Sequence, residues 1–236
     1  MIIMNSNSDS IIRDIKTLFF LLKKDLKLEF RSLSTILITI VFTALIVVLF
    51  NIAFPFGVAQ KNEIISIIIW VVFLFSSLIV SSGMIELDTK DNSLELILMY
   101  GIKSEIYFLS KVLSVFTILS IVQLTIFSLF YVLFQLNFQN PVIILVAILT
   151  NIGISSITVI LGILSVRNNL NQNILSILVI PFTLPYLLGA VEVTNQLTES
   201  GNINYILNSL YAIVAFDLIF LISGALLIGV YFKLEK

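Results

Sequence analysis

From residue 33 to residue 54 the chain runs twenty-two residues without a charged side chain. Five further apolar stretches follow at 64–85, 106–134, 141–166, 174–191 and 205–232, broken only by Lys111 and Asp217. About 20 apolar residues in a helix cross the roughly 30 Å hydrocarbon layer of a bilayer. Within that layer only a segment that closes its own backbone hydrogen bonds is tolerated. The expected fold is therefore an all-α polytopic membrane protein with six transmembrane helices. The third and sixth stretches exceed the minimum, so part of each is expected to tilt or to project beyond the lipid. Composition agrees: 11% of residues are charged and the mean hydropathy is +1.13, whereas about a quarter of residues are charged in soluble domains.

The distribution of lysine and arginine sets the expected topology. Arg13, Lys16, Lys23, Lys24, Lys27 and Arg31 precede the first span; Lys90, Lys103 and Lys111 lie around the 2–3 connection; Arg167, Lys233 and Lys236 fall on the same side, and Lys61 alone on the other. The positive-inside rule then places both termini and residues 86–101 in the cytoplasm or its organellar equivalent. Residues 1–10 are serine- and asparagine-rich and are expected to be disordered; they lack the apolar region and cleavage site of a signal peptide, so insertion rests on the first span. Over 11–32, apolar Ile11, Ile15, Leu18, Leu22 and Leu26 recur at helical spacing with the cations elsewhere on the wheel, which predicts an amphipathic helix lying on the inner membrane surface. Residues 33–236 read as a single six-helix transmembrane domain.

The chain contains no cysteine and no histidine. Disulfides, thiolate and imidazole metal ligation, and Ser-His-Asp or Cys-His catalysis are thereby excluded. No phosphate-cradling GxxxxGK[ST] loop occurs, and the cations line a membrane edge rather than a soluble patch, so nucleic acid is not an expected partner. Glu86, Asp88, Asp91 and Glu95 read as a solvated, partner-binding charge run rather than a metal or acid–base cluster. No cofactor is expected on this chain.

Four features carry functional expectations. Residues 86–101 read as a polar loop followed by a short helix, with Asn92 as N-cap, Glu95 three residues on and Gly101 at the stop. That helix (Leu94, Leu96, Ile97, Leu98, Met99, Tyr100) is apolar on nearly every side, and a membrane surface covers one side only, so a second protein is expected on the other. Serines 66, 76, 77, 81 and 82 in span two, and Asn151, Ser155, Thr158, Gly162 and Ser165 in span four, read as packing seams, with a substrate path the alternative for the latter. Pro181 and Pro185 are expected to kink or break span five and to serve as a hinge, or else to mark irregularity imposed by the fold; residues 192–204 read as an outer loop. Asp217, deep in span six without a basic partner in another span, is a candidate for transport or coupling.

Ile68-Ile69-Trp70-Val71, Ser76-Ser77-Leu78, then Asp88, Asp91 and Ser93-Leu94-Glu95 resemble the second span and following loop of the haem exporter protein B (CcmB) family of cytochrome c maturation. Leu178-Val179-Ile180-Pro181-Phe182-Thr183-Leu184-Pro185 is similar to that family's LVLPLTIP segment. The resemblance covers residues 20 to 230; where the family tends to carry an acidic–basic pair ahead of the loop, this chain has Ser82 and Gly83. It implies the permease subunit of an ABC-type complex, itself non-catalytic, with ATP and haem handled by the complex. The implied partners are an ABC ATP-binding subunit, a haem-handling membrane protein, a small accessory subunit, and for this chain a second copy of itself. The second protein on the short helix becomes the ATPase, with Asp88, Asp91, Ser93, Leu94, Glu95 and Leu98 as coupling residues. The implied setting is the bacterial inner membrane, or the mitochondrial inner membrane. The alternatives are an ABC exporter for a lipid, glycan or drug, a carboxylate-dependent ion or proton carrier using Asp217, and an assembly scaffold.

Overall fold

The structure, a computed structural model, describes residues 4–32, 34–53, 61–90, 102–134, 140–168, 172–198 and 203–234, with side-chain surroundings over 11–31, 34–53, 64–84, 102–134, 140–164, 178–197 and 203–230. Among these the helices are α1 (Met4–Ser32), α2 (Ser34–Ala53), α3 (Lys61–Lys90), α4 (Ser104–Phe134), α5 (Pro141–Asn168), α6 (Gln172–Thr198) and α7 (Ile203–Leu234). The six from α2 onward are each long and apolar enough to cross a membrane. Helix starts are chemically marked where they can be seen. Asn140 caps α5 by accepting the Val142 N–H at 3.0 Å through Oδ1, with Pro141 at the first helical position where no donor is needed.

The spans alternate in direction. Gly83 near the end of α3 abuts Thr35 at the start of α2, and Gly229 near the end of α7 faces Ser104 at the start of α4. At the opposite end of the bundle, Asn51 Nδ2 of α2 donates to the Leu133 carbonyl of α4 at 3.1 Å. α3 and α5 are central: 67% and 72% of the residues in their crossing stretches are buried, against 22% in each of α2 and α7 at the edges. The core runs through Ile69, Trp70, Phe73, Phe108, Ile118, Phe130, Ile154 and Tyr186.

Polar side chains stitch this core together. Thr43 of α2 and Ser76 of α3 share a hydrogen bond of 2.8 Å, as do Ser81 of α3 and Thr158 of α5. Trp70 Nε1 of α3 donates to Thr194 Oγ1 of α6 at 2.9 Å. Each such bond contributes on the order of 0.6 kcal/mol within a bilayer. Three on one helix fix its register against three neighbours. Ser76 and Ser81 of span two therefore form a packing seam, as expected, while Ser77 and Ser82 bond back to carbonyls of α3 itself. In α5, Asn151 Nδ2 reaches Ser120 Oγ of α4 at 3.4 Å, and Ser155 and Thr158 are buried; this is also a seam.

Three expectations need correction. Residues 86–90 are not loop: α3 continues to Lys90. Residues 192–198 are likewise helical, within α6, where Gln196 Nε2 donates to Glu192 Oε1 one turn back at 2.9 Å. In both places the polarity marks where the helix leaves the apolar layer, and no glycine or proline is present there to end it. α6 is also unbroken through Pro181 and Pro185. The prolines free the carbonyls of Ile177 and Pro181, and packed neighbours sustain a helix through such a gap.

α1 begins at Met4, ahead of the expected start at Ile11. The side that packs on the bundle carries Leu21, Asp25 and Glu29, which are buried, while Ile11 and Ile15 of the expected apolar stripe are exposed. α1 rests on the foot of α4 and the start of α2. The attachment is ionic. Lys111 of α4 lies 3.2 Å from Asp25, with both side chains almost fully buried, and Lys103 pairs with Asp14 nearer the N-terminus. The Lys111 ammonium also sits 5.8 Å from the centre of the Tyr107 ring, within cation–π range. α4 can supply this foot because 31 residues make a helix of roughly 46 Å, more than the hydrocarbon requires.

Removing one member of a buried ion pair strands the other, at a cost of about 3 to 5 kcal/mol, whereas replacing both by apolar groups is nearly neutral. Lys111→Met is therefore expected to lower the unfolding stability of the detergent-solubilised chain by about 3 kcal/mol, and Asp25→Leu combined with Lys111→Met to recover most of it; denaturant titration of the three chains checks this. Glu29 gives a second expectation. Burial raises its carboxyl above the ordinary value of 4.5, opposed by a hydrogen bond from Thr35. The folded state thus holds the proton more tightly than the unfolded chain, and stability falls as pH rises from that ordinary value to the raised one. Glu29→Gln should flatten this fall and leave the chain at least as stable at neutral pH, read from unfolding midpoints between pH 4 and pH 8.

Candidate functional site

Two regions hold the residues singled out by the sequence. The first lies at the α1 end of the bundle. Asp88 is on the last turn of α3, and Asp91, Ser93, Leu94, Glu95 and Leu98 fall outside the described residues, as does the expected short helix over 92–101. The structure brackets the segment: α3 ends at Lys90 and α4 begins at Ser104. The helix ends meeting there belong to the same face as α1, Lys103 and Lys111. Of the two helices that bracket the segment, α3 is tied by hydrogen bonds to α2, α5 and α6.

The second region is mid-bundle. Asp217 of α7 is 4% exposed, and a side chain built on Gly153 of α5 would strike both the Tyr186 ring of α6 and Asp217 Oδ1. Glycine is thus what lets these three helices close around the carboxylate. The Tyr186 phenol is near enough to interact with Asp217, but neither the hydroxyl nor either carboxylate oxygen makes a hydrogen bond of ordinary geometry among the described residues. No ion pair reaches Asp217 among those residues. Its walls are aromatic: Tyr186 packs on Phe216 at 6.0 Å and Phe220 at 6.4 Å between ring centroids, and Phe182 meets Phe220 edge-on at 6.0 Å. Pro181 and Pro185 immediately precede Phe182 and Tyr186. The proline turns of α6 therefore present the aromatic seam to α7.

Chemically, the site offers a buried carboxylate beside a buried phenol. Among the described residues no three acidic side chains cluster as a metal site would require. Sequence reasoning found Asp217 and both prolines but not Tyr186 or Gly153, since nothing in the sequence marks one tyrosine or glycine among several as facing a residue on another helix. It also missed the Asp25–Lys111 pair, for which a signal existed: Asp14, Asp25 and Glu29 fall on one side of an otherwise basic helix.

With the spans and both regions placed, comparison with known proteins is informative. No curated protein and no solved structure matches the chain. The family described as CcmB protein matches over residues 16–227, which leaves out only the first fifteen and last nine residues. The chain therefore belongs to the CcmB family and is a multi-pass membrane component of a haem-exporter ABC system.

Proposed function

We propose that this chain is the permease subunit that couples ATP hydrolysis in a separate subunit to haem delivery, or to release of the haem-loaded chaperone, in cytochrome c biogenesis. The observation that carries this reading is the position of α3: its Lys90 end leads directly into the coupling segment, and its body is bonded to α2, α5 and α6. A partner gripping Asp88, Asp91, Ser93, Leu94, Glu95 and Leu98 acts on the hub of the bundle. The ATP-binding subunit is that partner, on the cytoplasmic face of a bacterial inner membrane; a haem-handling membrane protein and a small accessory subunit complete the complex. Pro181 and Pro185 serve as the hinge of α6, because the two freed carbonyls weaken that helix where it bears on α7.

Haem is cargo of the complex in this reading and is not ligated here. Histidine and cysteine are absent, and Met84 is packed into the core; of the common axial ligands that leaves tyrosine and methionines near the chain start or in the coupling segment. The chain itself performs no catalysis. Leu94→Asp and Leu98→Asp are each expected to abolish co-purification of the ATP-binding subunit while leaving the chain membrane-inserted, and undiminished association would remove the docking role.

A second reading, a proton or ion carrier, is favoured by the buried Asp217 carboxylate, which no ion pair reaches among the described residues. The coupling reading predicts the opposite of what a carrier needs. Asparagine has nearly the same shape as aspartate, so Asp217→Asn should support cytochrome c maturation at close to the normal level with unaltered pH dependence. Loss of function with a changed pH profile would favour the carrier. Gly153→Ala, which forces a methyl group against Tyr186 and Asp217, is expected to cost about 1 to 3 kcal/mol of stability.

A further inference from the structure

α1 has three sides, and only one of them is used by the bundle. At about 100° per residue, Asp14, Leu18, Leu21, Asp25 and Glu29 form the packed side. Next to it around the helix, Ile12, Ile15, Phe19 and Phe30 form an exposed apolar strip. Beyond that strip lie Arg13, Lys16, Lys23, Lys27 and Arg31, with Phe20 among them. An apolar strip beside a basic strip is the arrangement of a helix at a bilayer interface, the first facing acyl chains and the second headgroups.

The basic side is not flat. Phe20, Lys23, Lys24, Lys27, Leu28 and Arg31 line a cavity of about 500 Å³. Four of these six residues are cations and none is acidic. The apolar pair, Phe20 and Leu28, supplies the remaining wall. Arg31 stands three residues before Ser34, the first residue of α2, so the cavity opens where the chain enters hydrocarbon. The acidic side chains of this part of α1 lie outside the lining: Asp25 pairs chiefly with Lys111 at 3.2 Å, its other oxygen 4.0 Å from Lys24, and Glu29 is buried.

We propose that this cavity is a binding site for the phosphodiester headgroup of an anionic phospholipid, whose acyl chains lie along Ile12, Ile15, Phe19 and Phe30. The inference rests on the chain being a membrane protein and not on the coupling role. Charge defines the ligand: several cations converge on one concave space, and near a membrane surface each contributes favourably to binding an anionic lipid. Position selects a lipid over a soluble phosphate, because the apolar strip adjoins the cavity.

The test uses the purified full-length chain in a neutral detergent, given equimolar phosphatidylglycerol and phosphatidylcholine and examined by native mass spectrometry. Retained phosphatidylglycerol should exceed phosphatidylcholine by on the order of tenfold. Lys27→Gln combined with Arg31→Gln should bring that ratio close to one, while Lys27→Arg with Arg31→Lys keeps it. Arg13→Gln with Lys16→Gln, on the same basic side but outside the cavity, should also keep it. Equal retention of the two lipids by the wild-type chain, equal loss in both glutamine pairs, or displacement of phosphatidylglycerol by millimolar inorganic phosphate would each overturn the site. Should the cavity variant not purify, the wild-type chain decides: phosphatidylglycerol must raise its unfolding midpoint more than phosphatidylcholine does, and no difference between them overturns the proposal.

Discussion

Hydrocarbon supplies no hydrogen bonds, and the architecture follows from where each polar group finds one. Backbone groups are satisfied inside helices, which is why the described spans are helical even across Pro181 and Pro185. Side-chain groups that cannot be satisfied within their own helix must reach a neighbour. On α3 that requirement is met in three directions, through Ser76 to Thr43, Ser81 to Thr158 and Trp70 to Thr194. α3 is thus tied to three other spans, and its Lys90 end borders the segment proposed to dock the ATP-binding subunit.

The α1 end of the bundle obeys a different rule, because it carries charge. Asp25 and Lys111 are both withdrawn from solvent and are 3.2 Å apart. Such a pair contributes little net stability over an apolar contact, but it is intolerant of change in one member. It therefore specifies where α1 docks more than how tightly. With its acidic side committed to α4 and α2, α1 is left with an exposed apolar strip and a basic cavity. The docking thus determines which side chains of α1 stay exposed.

Much of the fold was legible because the lipid constraint acts on local sequence. Six runs of apolar residues became six helices, and Ser76 and Ser81 of span two became interhelical contacts. The misplacements share one cause: polar residues were read as loop at 86–90 and 192–198, whereas a helix leaving the bilayer stays helical while its surface becomes polar. The site was less legible. Asp217 stands out as a carboxylate in an apolar run, yet Tyr186 and Gly153 matter through their position on other helices, which periodicity along one helix does not reveal. On α1 periodicity marks the apolar stripe but gives no sign of the side that docks on the bundle. That side carries Asp25, which pairs with Lys111 on a helix more than 80 residues later.

The central claim is that segment 88–100 hands mechanical work from an ATP-binding subunit to α3. It is tested most directly by placing a photoreactive amino acid at Leu98 and, separately, at Leu207, in the second turn of α7 at the opposite end of the bundle, and irradiating the intact complex in membranes. The account predicts that the ATP-binding subunit is crosslinked from position 98 and not from position 207. Crosslinking from 207, or its absence from 98 in a complex that still hydrolyses ATP, would contradict it.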